Sequence, residues 1–210
     1  GLWGLNFAPT DEQQMIRKMV REFAQDEVAP EAAERDRTGE FPEAVIRRMG
    51  ELGLLGLPYP EEYGGAGADT VSYAIAVEEI SRACASTGIT YAAHVSIGSG
   101  PIYLFGSEEQ KKRWLVPCAR GEMLASFGLT EPNAGSDAGG TQTTAVFRGD
   151  QWVINGSKCF ITNASHAGVV VITAVTDKTR GQHGISSFIV PRGAPGYSIG
   201  TKYDKLGLRA

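Results

Sequence analysis

Two short runs gather the side chains of this 210-residue sequence that are best suited to gripping a ligand: FGLTEPNAGSD at 127–137 and CFITN at 159–163. Thr130 and Thr162 offer hydroxyls that donate and accept, while Phe127, Leu129, Phe160 and Ile161 offer apolar walls. Asn133 and Gly135 both tolerate left-handed backbone angles, so the turn holding Ser136 can bring main-chain amides and a hydroxyl up to a ligand that a bulkier loop would exclude. Each residue also has a plainer reading by itself. The threonines are good strand formers, Ser136 and Asp137 are turn makers, and Phe160 is a core residue. Glu131 is acidic and lies inside the first run, but Pro132 beside it marks a structural corner rather than a proton acceptor.

The remaining chemistry-bearing residues are scattered. His94, His166 and His183 lack both the i, i+4 spacing and the clustered carboxylates of a metal site, so no metal is expected. Tyr91 and His94 read as one helix face, with His94 at least partly buried. Cys84, Cys118 and Cys159 form no CxxC pair and are odd in number, which points to core thiols in a reducing compartment. With 42% hydrophobic and 21% charged residues the composition is that of an ordinary globular protein. A net charge of -4 without a basic stripe argues against nucleic acid as a partner. No apolar run reaches the roughly 18 residues of a membrane span, and no charged-then-apolar leader opens the sequence, so the expected location is the cytoplasm, or the mitochondrial matrix in a eukaryote.

The elements that must position these runs change character near residue 120. Residues 1–120 carry 18 acidic and 12 basic side chains, against 6 and 8 in residues 121–210. The first part is rich in Glu, Ala, Ile and Met at helical spacing, the second in Thr, Val and Gly in short alternating runs. The predicted class is α+β: an all-α helical domain over 6–120, then a small antiparallel β-barrel or sandwich over 121–210. Thr10 and Gln13 form a capping box ahead of an apolar face at Met15, Met19, Phe23 and Val28, and Ser107 with Gln110 repeats the pattern before Trp114, Leu115 and Val116. A second helix opens at Phe41-Pro42 and stops at Gly53, and a third, apolar nearly all round, runs from Asp69 to about Cys84. Strands are predicted at 123–129, 143–147, 152–154, 158–162, 169–175 and 185–190, with tight turns at Gly149-Asp150 and Asn155-Gly156. Residues 1–5 do not share the rhythm of the first helix and are read as a remnant of expression.

The two runs, together with PEEYGGAG upstream and KLGLRA at the end, resemble the acyl-CoA dehydrogenases in the same order, from about residue 6 to the last residue. Several ordered motifs at plausible distances are far more specific than one short pattern. The resemblance implies FAD as cofactor, with the isoalloxazine lined by Phe127, Leu129, Thr130, Phe160, Ile161 and Thr162, and with Gly135 and Ser136 in the cofactor-binding turn. It also places Ser136 on the pantetheine arm of an acyl-CoA substrate. The residue at 160 is Phe where the family often has tryptophan, which keeps ring packing and removes an indole donor. A flavin needs donors at its polar edge and apolar contact on its faces, and these residue types supply both.

The implied activity is α,β-desaturation of an acyl-CoA thioester, with electrons leaving to an electron-transferring flavoprotein and the full-length chain forming a homotetramer. Desaturation needs a base for the α proton, which in the family is a glutamate on a helical domain that follows the β domain. No residue up to Ala210 matches it, so no catalytic residue is assigned and the sequence is expected to be two domains of a three-domain chain. Other readings of the same sequence are a related flavoenzyme, such as a nitroalkane oxidase or a flavin monooxygenase, and a non-catalytic flavin- or acyl-CoA-binding module. The TEP-x-x-GSD turn favours the dehydrogenase.

Overall fold

The computed structural model describes residues 7–209; the expectation for residues 1–5 falls outside them. Thr10 starts helix α1, Asp11–Phe23, with both capping-box bonds formed. A π turn over Ala24–Val28 and a 3-10 turn over Ala29–Glu31 lead into α2, Ala32–Thr38. Pro30 cannot donate a backbone hydrogen bond, which is why the helical path loses its regular ladder there. Helix α3, Glu43–Glu51, follows Pro42 and ends where Gly53 turns left-handed.

Helix α4, Thr70–Ala83, is capped by the Asp69 carboxylate on the Ser72 amide. It buries Ile75, Ala76 and Ile80 but leaves Val71 half exposed, so its apolar surface is covered less completely than its sequence suggests. Arg21 on α1 donates two bonds to the buried Glu79 carboxylate of α4, and Arg82 adds a third. The stretch that follows is helical throughout: α5, Ala85–Ala93, a π turn His94–Ser99 and α6, Gly100–Phe105. Ser107 then caps α7, Glu108–Gln110, which continues through a π turn Lys111–Leu115 into α8, Val116–Ala119.

The second part is the expected small β domain, but its sheet is mixed rather than purely antiparallel. Its strands are β1 Ala125–Gly128, β2 Thr144–Arg148, β3 Gln151–Asn155, β4 Val169–Val175 and β5 Ile185–Pro191. β2 and β3 form the expected hairpin around Gly149, with Ala145 opposite Ile154. β4 lies at the centre, antiparallel to β5 and parallel to β1, with Phe127 beside Val171 and Val170 opposite Val190. Parallel neighbours need a long crossover between them, and residues 129–168, which include the hairpin, supply one.

The strand expected at 158–162 does not form. Phe160 and Asn163 have φ of 58° and 67°, a left-handed conformation that cannot extend a ladder, so this segment is a loop crossing the end of the sheet. Val20, Met49, Leu55, Ile80, Ile102 and Leu115 of the helices share one buried cluster with Ala125, Val169 and Val171 of the sheet. Each of the larger of these side chains removed from water contributes about 1.5–3 kcal/mol.

Along α5 and α6, Ile89, Ile97, Leu104 and Phe105 remain exposed. Apolar surface of this extent promotes association, so the 210-residue chain alone is expected to self-associate. Sedimentation velocity checks this, and a single monomeric species would contradict it.

Candidate functional site

Strand β1 delivers the first run to the edge of the sheet. Beyond Gly128 the chain leaves the ladder, and Leu129 and Thr130 are half buried. Glu131 and Ala134 exchange two backbone bonds of 3.0 and 3.1 Å, closing a tight turn over Pro132 and Asn133. Past that turn Gly135 and Ser136 are exposed, and a Cβ placed on Gly135 would meet nothing within 4 Å. The corner role read for Glu131 is realised by its carboxylate, which folds back to accept the amides of Gln142 at 2.7 Å and Thr143 at 3.1 Å and the Lys158 ammonium at 2.7 Å. Burial works against the Glu131 charge, but these bonds outweigh it and hold the carboxyl at about 2. A carboxylate held so acidic is a poor proton acceptor near neutral pH.

The second run is fastened beside the first. The Cys159 amide donates to the Thr130 carbonyl at 2.9 Å, the Ser126 hydroxyl of β1 donates to the Thr162 carbonyl at 2.9 Å, and the Asn163 side-chain amide donates to the Thr90 carbonyl of α5 at 3.0 Å. Between these anchors the left-handed Phe160 holds its ring 69% exposed, with Tyr203 tilted against it at 4.9 Å between centroids. Exposure, not burial, is therefore the state of this ring. Phe127 packs half buried against the core and Ile161 is half buried. Among the described residues the hydroxyls of Thr130, Thr162 and Ser136 have no hydrogen-bond partner.

Thr130 and the loop bearing Phe160, Ile161 and Thr162 are thus adjacent, joined by the backbone bond from Cys159, whereas among the described residues no bond ties Ser136 to either. Two concavities lie elsewhere, at the seam between helices and sheet: about 650 Å³ lined by Glu31, Arg35, Glu43 and Arg47, and about 310 Å³ beside Ile46 and Met123. Both include Phe41 and His166, whose rings stack at 3.7 Å. The sequence reading missed Lys158 and the anchoring role of Asn163. The available signal was a lysine two residues after the Asn155-Gly156 turn, immediately before a run already singled out, and an acidic corner residue with no stated partner.

His94 sits behind this arrangement, fully buried. Its Nδ1 accepts the Ala125 amide at the start of β1 at 2.9 Å, and its Nε2 lies 3.2 Å from the Cys118 carbonyl, to which it donates. The two bonds require the neutral ring with its proton on Nε2. Burial depresses its pKa to about 4.

Residues 10–122 match the family described as acyl-CoA dehydrogenase, N-terminal domain, and residues 126–210 match acyl-CoA dehydrogenase, middle domain. The chain belongs to the acyl-CoA dehydrogenases. It is 60% identical over 206 residues to a probable acyl-CoA dehydrogenase of Bacillus subtilis, and 52% identical over 206 residues to the short-chain specific acyl-CoA dehydrogenase of Clostridium acetobutylicum. In both pairs 98% of this chain aligns with 54% of the relative. The fold of butyryl-CoA dehydrogenase from Megasphaera elsdenii superposes with a TM-score of 0.93 at 43% identity, covering 98% of this chain and 55% of that one. The acyl-CoA dehydrogenase chain described here spans about half the length of the relatives it matches.

Proposed function

We propose that the whole protein is an FAD-dependent acyl-CoA dehydrogenase that desaturates the α,β bond of an acyl-CoA thioester, and that these residues form its helical unit, 6–120, and its β unit, 121–210. The observation that carries this reading is the joining of Thr130 to the 159–162 loop, which brings two threonines with unpartnered hydroxyls together with an exposed aromatic ring. That donor set fits a flavin: hydroxyls for a polar ring edge, and Phe160, Leu129 and Ile161 for an apolar face. A flavin held here supplies an acceptor for the β hydrogen as hydride.

Phe127, Leu129, Thr130, Phe160, Ile161 and Thr162 hold the ring in this reading, and Gly135 leaves room for the ligand to approach the turn, since among the described residues nothing lies within 4 Å of a Cβ placed there. Ser136 binds the pantetheine arm. Glu131 keeps no proton and takes none, because its ion pair stabilises the carboxylate. The α proton belongs to a residue outside these 210. Electron-transferring flavoprotein as acceptor, a homotetrameric assembly, a role in fatty acid metabolism and a cytoplasmic or matrix location complete the proposal. Among the described residues no helix is long and apolar enough to cross a membrane. Two of the relatives are named for short acyl chains, so butyryl-CoA is the first substrate to offer.

The test is the visible spectrum of the full-length protein. A flavin band that bleaches on anaerobic addition of butyryl-CoA supports the dehydrogenase. A band that shifts without bleaching supports a binding module, and one that bleaches only with a nitroalkane supports that oxidase. Absence of any flavin overturns the reading.

Two substitutions separate the roles of the hydroxyls. Thr162→Ala is expected to weaken FAD binding by about 0.5–1.5 kcal/mol, the worth of one neutral hydrogen bond, as read by titration of the apo-protein. An unchanged affinity would leave Thr162 as a loop former. Ser136→Ala is expected to raise KM for the acyl-CoA several-fold at nearly constant kcat, the pattern of lost uniform binding. A hundredfold fall in kcat at constant KM would instead place Ser136 in the transition state, and no change in either would make it a turn residue only.

A further inference from the structure

We propose that Lys158 is the positioning residue of the cofactor site, locking the 129–130 and 159–162 segments into one register through its pair with Glu131. The inference rests on the flavin reading above and assigns to it a residue that does not itself touch the ligand.

The Lys158 ammonium ends three bonds on two different stretches of chain: the Leu129 carbonyl at 3.0 Å and the Glu131 carboxylate at 2.7 Å on one, and the Thr173 hydroxyl of β4 at 3.1 Å on the other. Its side chain and that of Glu131 are 10% and 5% exposed. An ammonium has three donors, and here each has a partner, so the group is fully satisfied in this one geometry. Glu131 extends the clamp, since its other bonds hold the amides of Gln142 and Thr143, where the chain turns into β2. Gly128 permits the close approach, because a Cβ there would come within 3.0 Å of Ile172 and 3.3 Å of the Lys158 stem. Lys158 immediately precedes Cys159, whose amide bonds Thr130. The ion pair and that single backbone bond therefore fix the same junction from two sides.

A pair serving stability alone has no need of this wiring. Buried ion pairs can often be replaced by apolar residues of like volume with no loss of stability. What an apolar replacement cannot do is hold the Leu129 carbonyl and the 142–143 amides, and those contacts set where Thr130 sits relative to the second segment.

The experiment compares full-length wild type, Lys158→Met, Lys158→Arg and the double variant Lys158→Met with Glu131→Gln. For each, the FAD dissociation constant is measured by flavin fluorescence, and the melting temperature of the apo-protein by calorimetry. Lys158→Met is expected to weaken FAD binding about ten- to a hundredfold, the loss of hydrogen bonds to a charged group, and to lower the melting temperature. The double variant leaves no unpaired charge, so it is expected to regain most of the melting temperature while its FAD affinity stays low. Lys158→Arg keeps the charge but not the compact three-way geometry, and is expected to melt near wild type with an intermediate affinity. If Lys158→Met fails to fold, the other two variants decide. Affinity within about twofold of wild type in the double variant, or affinity that rises and falls with melting temperature across the set, overturns the positioning role and leaves a stability role in its place. A wild type that binds no FAD overturns the flavin reading, and this inference with it, whereas a wild type that binds beside variants that bind equally well overturns this inference alone.

Discussion

His94→Ala is expected to destabilise the full-length protein by about 4 kcal/mol or more. The substitution leaves the Ala125 amide without its partner in a fully buried place, while the Cys118 carbonyl loses the ring but keeps the Gly121 amide. An orphaned amide costs about 1–3 kcal/mol, and the lost ring volume adds a cavity term. The site depends on this bond because Ala125 begins β1, and β1 carries Phe127 and ends one residue before Leu129. His94→Gln retains a donor and an acceptor and is expected to recover a substantial part of the loss. Denaturant unfolding of the apo-protein checks both. A loss under about 1 kcal/mol for the alanine variant would mean that the ring only fills space.

Acidification is expected to remove stability in two successive windows. His94 titrates at about 4 in the folded protein against an ordinary 6.5, so between those values the unfolded chain binds the proton more readily. Its contribution is complete above about 6.5 and disappears as pH falls to about 4, a change of about 3 kcal/mol at about 1.4 kcal/mol per tenfold in proton affinity. His166, also shifted down by burial, loses stability in the same direction. Glu131, held at about 2 against an ordinary 4.5, stabilises fully above about 4.5 and loses its contribution as pH falls toward 2, again about 3 kcal/mol. Together the two approach the whole stability of many domains, about 5–15 kcal/mol. Unfolding midpoints at pH 7.5, 5 and 3 measure the course. His94→Gln should flatten most of the upper window and leave the lower one, and a wild-type midpoint that is level from pH 7 to 4.5 would contradict a buried neutral imidazole.

The capping boxes at Thr10 and Ser107, the hairpin at Gly149 and the order of helices before strands were legible in the sequence, because each depends on residues a few positions apart. The two site runs were legible for the same reason. They are contiguous, and their glycines, threonines and aromatics state their local preferences directly. The direction of β1 beside β4 was not, since parallel or antiparallel pairing depends on how residues 129–168 travel, and no local preference encodes it. Nor was the 158–162 loop. The run of Phe160, Ile161 and Thr162 predicts a strand there, and the long-range bonds of Lys158, Cys159 and Asn163 override it by drawing the backbone into left-handed turns. The sequence by itself determined which side chains are of a kind to grip a ligand. The tertiary structure decided that Thr130 and the Phe160 loop stand side by side, that Phe160 faces outward, and that Glu131 is the partner of Lys158. Those outcomes hang on hydrogen bonds between residues roughly thirty positions apart, whose formation requires the core to assemble first.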